Sequence, residues 1–285
     1  MQHILSTIPA RTDVLVIGAG PTGLALSIAL RQAGIEHVLV DKLARGQNTS
    51  RAAVIHAHTL EALSGLGVAD ELVVAGVKAK HFSIRERDRA LVRLGFESLP
   101  SAFAFLLMVP QDVTERVLAR RLEALGGTIH RGVTAEAVEE RHGAIHARLD
   151  DNGTPRTLEA RYVVGADGMN SIVRQSAGID FDGGRYAHSF VLADVRMDWK
   201  LGREEVMLFF SPAGPVVVAP LPDGGFRIVA AMENAPEHPG IADIQGLLDA
   251  NGPRAGGRAR VLDLAWSSRF RIHHRLARSY RHGRM

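Results

Sequence analysis

Residues 13–18, DVLVIG, form an unbroken apolar, largely β-branched run that ends on glycine. That is the pattern of a strand buried on both faces of a parallel sheet. PTGLALSIALRQAG (21–34) carries proline near its start and glycine at its end, the punctuation of a helix. EHVLVD (36–41) repeats the buried-strand pattern. Together they predict a strand–helix–strand unit at the head of the chain.

Helical spacing returns over 57–75, where Leu60, Leu63 and Leu66 mark one face, and over 111–125, where Val113, Val117, Leu118, Leu122 and Leu125 do the same. Two short runs, 80–86 and 90–95, flank the polar ERDRA and predict a hairpin. Strands are predicted at 132–140, 143–149 and 157–160, with DDNGTP as the turn between the last two. RYVVGAD (161–167) reads as a further buried strand leading into a short helix. From about residue 186 the pattern changes to HSFVLADVRMD, EVMLFFS, GPVVVAPLP and GFRIVAAME, punctuated by Gly, Pro and Asp, which predicts antiparallel sheet. A helix is expected near 240–250.

Composition narrows the chemistry. The 285 residues include no cysteine, which excludes disulfides, thiolate metal sites and a cysteine nucleophile and suits a reducing cytoplasm. Apolar residues make up 46% and charged residues 23%, with a net charge of only +3. That balance does not call for nucleic acid. The apolar stretch 13–30 is broken by glycines, Pro21 and Thr22, against a membrane span. The basic end, RFRIHHRLARSYRHGRM, has histidines but no acidic partner for a metal. No metal, nucleic acid or membrane is therefore expected, and the setting is cytoplasmic.

VIGAGPTG places Gly18, Gly20 and Gly23 in G-x-G-x-x-G spacing between a predicted strand and helix. The first glycine permits the turn, the second lets backbone approach a diphosphate, and the third lets helix and strand pack closely. A helix N-terminus beginning at Pro21 and Thr22 offers amides and a positive dipole end to phosphate. Asp41 ends the second strand eighteen residues after Gly23, in register to accept a ribose hydroxyl, with Lys42 beside it. This motif does not separate NAD from FAD.

YVVGADGMNSIVRQSAG (162–178) resembles the D-G motif of class A FAD-dependent aromatic hydroxylases, the flavoprotein monooxygenases of the para-hydroxybenzoate and phenol hydroxylase type. SRAAVIHAHTLEAL (50–63), VPQDVTERVLARRLEALG (109–126) and APLPDGGFRIV (219–229) are similar to further stretches of that family, in its order. The resemblance implies an α/β (α+β overall) protein. A Rossmann-like FAD-binding domain with a parallel sheet would comprise 1–75 and 101–184, and an antiparallel-sheet substrate domain 76–100 and 185–268. Residues 269–285 would return to the first domain.

It further implies that Gly18, Gly20, Pro21, Thr22 and Gly23 hold the FAD diphosphate and that Asp41 and Lys42 lie at the adenosine ribose. Arg51 and Gln111 would contact the flavin side, and Asp167, Gly168 and Arg174 would lie where FAD meets NADH or NADPH. The implied oxidoreductase is a monooxygenase that consumes NAD(P)H and molecular oxygen. It would hydroxylate a small phenolic or polyketide-like aromatic through a flavin C4a-hydroperoxide, with a homodimer possible. Met207, Phe209, Val217 and Met232 are the apolar candidates to line its substrate pocket, and no catalytic acid or base is assigned.

Three other readings stay open: an NAD-dependent dehydrogenase, another FAD oxidoreductase of the same fold such as a reductase or halogenase, and a catalytically incomplete FAD-binding fragment. In the resembled family a segment like residues 270–284 leads to a final strand and a G-D motif. G-D-A-x-H occurs nowhere here, so the resemblance implies a piece of a longer chain.

Overall fold

The computed structural model describes residues 8–46, 53–212, 214–255 and 258–285. The elements in the first part of the chain are β1 (Arg11–Ile17), α1 (Pro21–Gln32), β2 (His37–Asp41), β3 (Val54–Ile55), α2 (Ala57–Gly65) and α3 (Ala69–Ala75). They are followed by β4 (Val77–Ala79), β5 (His81–Glu86), β6 (Arg89–Gly95), β7 (Leu106–Met108) and α4 (Gln111–Ala124). Next come β8 (Ile129–Arg131), β9 (Val133–Arg141), β10 (Ala144–Asp151), β11 (Thr154–Gly165), α5 (Ile172–Ser176) and β12 (Phe181–Arg185). The remainder is β13 (Ser189–Asp198), β14 (Glu205–Phe209), β15 (Val216–Pro220), β16 (Phe226–Met232), α6 (Ile241–Asn251), β17 (Arg260–Phe270) and β18 (His273–Ala277).

The apolar run of β1 sits at the centre of a six-stranded sheet ordered β8-β2-β1-β11-β10-β9. β1 is parallel to both β2 and β11, and β10 runs antiparallel to β11 and β9. Alternate side chains of a strand leave opposite faces, so the run feeds two cores. Val14 and Val16 pack with Leu24 and Ile28 of α1, Leu60 of α2, Leu72 of α3 and Leu118 of α4. Leu15 and Ile17 pack with Val38, Val40, Ile145, Leu149 and Leu158. A strand apolar at every position is what two covered faces require.

Two element boundaries differ from the sequence pattern. The helix expected over 57–75 is two helices, because Gly67 adopts φ +73° and ends the first. Arg121 of α4 then donates from Nε to the Leu66 carbonyl at 3.0 Å and satisfies that helix end. The strands expected at 157–160 and 161–167 are one, β11. No turn residue separates Ala160 from Arg161, and Ala160 pairs in register with Ile145 on one side and Thr12 on the other. The DDNGTP turn closes as a two-residue loop, with Asn152 at φ 52° and Gly153 at φ 87° between paired Asp151 and Thr154, the dihedral signs a type I′ hairpin needs.

The strand-rich half forms a seven-stranded sheet ordered β17-β13-β16-β15-β14-β5-β6. Its hairpin β5–β6 joins by parallel pairing to β14, and its other pairings are antiparallel. One face, with Val191, Val195, Met207, Phe209, Val218 and Ile228, packs on Ile244 and Leu248 of α6. Of the candidates for pocket or core, Met207 and Phe209 are core side chains with 1% and 0% exposure. Met232 is half-buried against that same core, while Val217 belongs to the opposite face. The basic terminal segment supplies β18, which pairs antiparallel with β12 from Phe181↔Ala277 to Arg185↔His273.

Two histidines of the six-stranded sheet carry a pH dependence. Burial lowers the pKa of His37 below its ordinary 6.5; Arg31 lowers it further, against a hydrogen bond to the Ile35 carbonyl. Burial also lowers that of His130, against the attraction of Asp151. A depressed folded-state pKa means that the unfolded chain takes the proton first, so stability is full above 6.5 and falls as the pH drops towards the folded values. Thermal melts between about pH 7.5 and 5 are expected to show this decline, and the His37→Asn, His130→Asn double variant to flatten it.

Candidate functional site at the head of the parallel sheet

β1 ends at Ile17, and the chain must turn at once into α1. Gly18 makes this turn at φ +104°, and a Cβ there would stand 2.4 Å from the Ala166 carbonyl oxygen and 3.0 Å from Asp167 Cα. Gly18 is thus fixed by its backbone conformation and by the end of β11 crossing against it. A Cβ on Gly23 would fall 1.8 Å from the Gly18 carbonyl oxygen, so the first turn of α1 is pressed onto the glycine turn. Gly20 is different. Its backbone, φ −75° and ψ −177°, suits any residue, and a Cβ there would meet nothing within 4 Å. Pro21 starts α1, and no side chain caps that end. The helix therefore presents its positive end to the space above Gly20.

Asp41 closes the other side of this space. Its Oδ2 accepts the Ala19 amide at 2.6 Å and its Oδ1 the Leu43 amide at 2.8 Å. A carboxylate has about four acceptor positions, so the two amides orient Asp41 and leave capacity for a hydroxyl. Asp167 stands at the end of β11, where its Oδ2 accepts the Ile172 amide at 2.7 Å. Its Oδ1 is buried with no hydrogen-bond partner. An unpartnered buried carboxylate oxygen costs on the order of 1–3 kcal/mol, and a donor supplied by a ligand would remove that cost.

A cleft of about 370 Å³ gathers these groups, lined by Gly18, Gly20, Asp41, Lys42, Gln111, Asp167 and Gly168. Four further polar residues line it that the sequence pattern did not single out: Glu115, Arg131, Thr134 and Asn170. Arg131 is in register with Asp41 across β2 and β8. Gln111 donates from Nε2 to Glu115 Oε1 at 2.9 Å, and Glu115 is 8% exposed. Its spacing of four from Gln111 puts it on the same helix face, a signal by which it could have been found; Arg131 follows no motif.

The other expected residues lie elsewhere. Pro21 and Thr22 line a neighbouring apolar groove of about 460 Å³ between α1, α2 and α4, which Gln111 also borders. Gly23 serves helix packing. Arg174 lines a third groove, of about 660 Å³. There it donates from Nη1 to the Met169 carbonyl at 2.8 Å and lies 4.4 Å from the Phe181 ring centroid. Arg51 lies outside the described residues. Arginines of the basic end have intrachain partners: Arg269 with the Ala235 carbonyl, Arg275 with the Phe181 ring, Arg278 with Asp180 and Asp182, Arg281 with the Gly283 carbonyl and Arg284 with Glu140. Among the described residues no group of three or more His, Cys, Asp or Glu stands where it would hold a metal ion. Likewise, no helix among them is long and apolar enough to cross a membrane.

A family model described as FAD binding domain matches residues 11–285. Over 275 residues the chain is 32% identical to 6-methylpretetramide 4-monooxygenase of Streptomyces rimosus, covering 95% of this chain and 49% of the relative. Over 280 residues it is 29% identical to pentachlorophenol 4-monooxygenase of Sphingobium chlorophenolicum, covering 96% and 52%. The chain spans about half the length of these curated relatives. The crystal structure of p-nitrophenol 4-monooxygenase from Pseudomonas putida superposes with a TM-score of 0.85 at 22% identity, over 97% of this chain and 72% of that one; this likeness is one of fold.

Proposed function

The chain belongs to the FAD binding domain family, and from that premise we propose that it is the FAD-holding and substrate-facing part of an aromatic monooxygenase. The observation that carries this reading is Gly20, a glycine that neither its backbone angles nor its neighbours require, set at a helix N-terminus in a cleft with a buried, unpartnered carboxylate oxygen.

The residues present fit the cofactor. The Gly18–Gly23 turn and the α1 N-terminus receive the diphosphate, and the missing Cβ of Gly20 lets it approach the backbone. Asp41, held by the Ala19 and Leu43 amides, accepts an adenosine ribose hydroxyl, with Lys42 and Arg131 beside it adding positive charge. Asp167 Oδ1 accepts a hydroxyl of the cofactor's sugar portion, and Gln111, braced by Glu115, offers donor and acceptor to the flavin side. Arg174 adds a contact for NADH or NADPH. When bound, FAD supplies the redox chemistry, taking two electrons from NADH or NADPH so that one atom of O₂ enters the aromatic ring and the other leaves as water.

The protein's share is binding, orientation and water exclusion. Residues 1–75 and 101–184 form the FAD-binding part and 76–100 and 185–268 the part that holds the aromatic. The two relatives are named for 6-methylpretetramide and pentachlorophenol, and the second name supports a phenol-bearing ring.

Titration of the purified chain with FAD tests this reading. Quenching of flavin fluorescence and a yellow protein after gel filtration are the expected outcomes. A colourless chain that retains no FAD would overturn the proposal. With flavin bound, NADH or NADPH oxidation is expected to rise on adding a phenol, measured as loss of nicotinamide absorbance.

A further inference from the structure

Strand register assigns every side chain of the seven-stranded sheet to one of two faces. Opposite the α6 face, Trp266 pairs with Asp194, Asp194 with Arg227, and Arg227 with Ala219, so these four side chains form one row across β17, β13, β16 and β15. Arg227 is 3% exposed and bidentate on Asp194, with Nε to Oδ1 and Nη2 to Oδ2 both at 2.7 Å.

A cavity of about 420 Å³ lies between this row and the first turn of α4, where Pro110 and Asp112 line it. Gln111, between those two residues, faces the cleft assigned to FAD. The start of α4 thus borders both spaces. The charged side chains lining the cavity are the carboxylates of Asp112, Asp194 and Asp223 and one guanidinium, Arg227. That guanidinium is already engaged by Asp194. Trp266, half-buried, offers the large flat surface of the cavity.

We infer that this cavity takes the ring of an uncharged aromatic against Trp266 and discriminates against carboxylate-bearing aromatics, with Asp194 as the specificity-determining residue. The assignment rests on the monooxygenase reading for its ligand class. An entering carboxylate meets the carboxylate of Asp223 beside two that are already ion-paired, Asp194 with Arg227 and Asp112 with Arg116. It finds no uncommitted guanidinium among the cavity's described residues, and like charges at close range are disfavoured. A neutral ring meets no such penalty and gains the offset stacking that indole favours. Asp194 decides between the two by neutralising the arginine that would otherwise attract an anion.

The isosteric pair 6-hydroxy-2-naphthamide and 6-hydroxy-2-naphthoate tests this, by calorimetric titration of the chain supplied with FAD at neutral pH. The amide is expected to bind about tenfold or more tightly than the carboxylate. Trp266→Ala is expected to weaken the amide about tenfold. Asp194→Asn, whose amide oxygen still accepts from Arg227, is expected to close the gap by freeing positive charge for the naphthoate.

Equal or tighter binding of the naphthoate by the unaltered chain, no binding of either compound, or an amide affinity untouched by Trp266→Ala would each overturn the assignment. None of these three measurements needs the Asp194 variant to fold. FAD uptake, read separately in the same samples, shows whether a failure lies with this cavity or with the flavin reading beneath it.

Discussion

Gly20→Val is expected to fold as the unaltered chain does and to bind FAD about a hundredfold more weakly, a loss of about 3 kcal/mol, while Gly23→Val is expected not to fold stably at all. The two glycines lie three residues apart in one motif, yet the structure separates their duties. A Cβ at Gly20 meets no protein atom within 4 Å and sits on a backbone that tolerates it. Its cost falls on whatever approaches the turn from the cleft. A side chain at Gly23 begins 1.8 Å from the Gly18 carbonyl oxygen, inside any permissible contact, and the helix must lift off the sheet.

Lifting α1 would separate Leu24 and Ile28 from Val14 and Val16, opening the core at its centre, where cavities cost several kcal/mol. Thermal melts and FAD titrations of both variants check this. A Gly20→Val chain that binds FAD like the original would mean that the diphosphate lies elsewhere. A well-folded Gly23→Val chain would mean that the helix–strand contact is looser than these distances.

The parts of this molecule legible in its sequence are those governed by neighbours along the chain. The strand–helix–strand unit and α4 follow from periodicity because they bury apolar side chains against continuous cores, and the β5–β6 hairpin follows from the polar ERDRA between its two runs, although β6 is exposed along its whole length. The glycine turn is legible because its three constraints fall within six residues. β11 was cut in two because its continuity comes from partners far away in sequence, β1 and β10, and not from its own pattern. Arg131 was invisible for the same reason: only the pairing of β8 with β2 brings it beside Asp41.

Whether Met207 and Phe209 line a pocket or the core is not legible along the chain, because an apolar strand residue does not announce which face it leaves by. The register with β15 and the packing of α6 decide that. The row of Trp266, Asp194 and Arg227 draws its members from three strands, and no local spacing connects them.

That row carries the second large effect. Arg227→Met is expected to destabilise the chain by about 3 kcal/mol, and the double variant Asp194→Leu, Arg227→Met to recover to within about 1 kcal/mol of the original. Removing the guanidinium leaves the Asp194 carboxylate, whose side chain is 22% exposed, without its two charge-assisted hydrogen bonds in a partly dry setting. Carboxylates so stranded are expensive. Removing both charges and filling the space with apolar side chains of similar size leaves nothing stranded, and buried ion pairs so replaced are commonly neutral in stability or better.

The pair joins β13 to β16, strands already tied by backbone pairing from Ser189↔Met232 to Val195↔Phe226, so the sheet does not depend on the ions for its register. Melting temperatures of the two single variants and the double variant give the coupling between the residues directly. If the double variant fell as far as Arg227→Met alone, the pair would be holding the sheet together. If it recovers, the charges are retained for what faces them across the cavity. A chain that keeps two mutually cancelling charges on the wall of a cavity that Asp112 and Asp223 also line has then kept them for selecting its ligand.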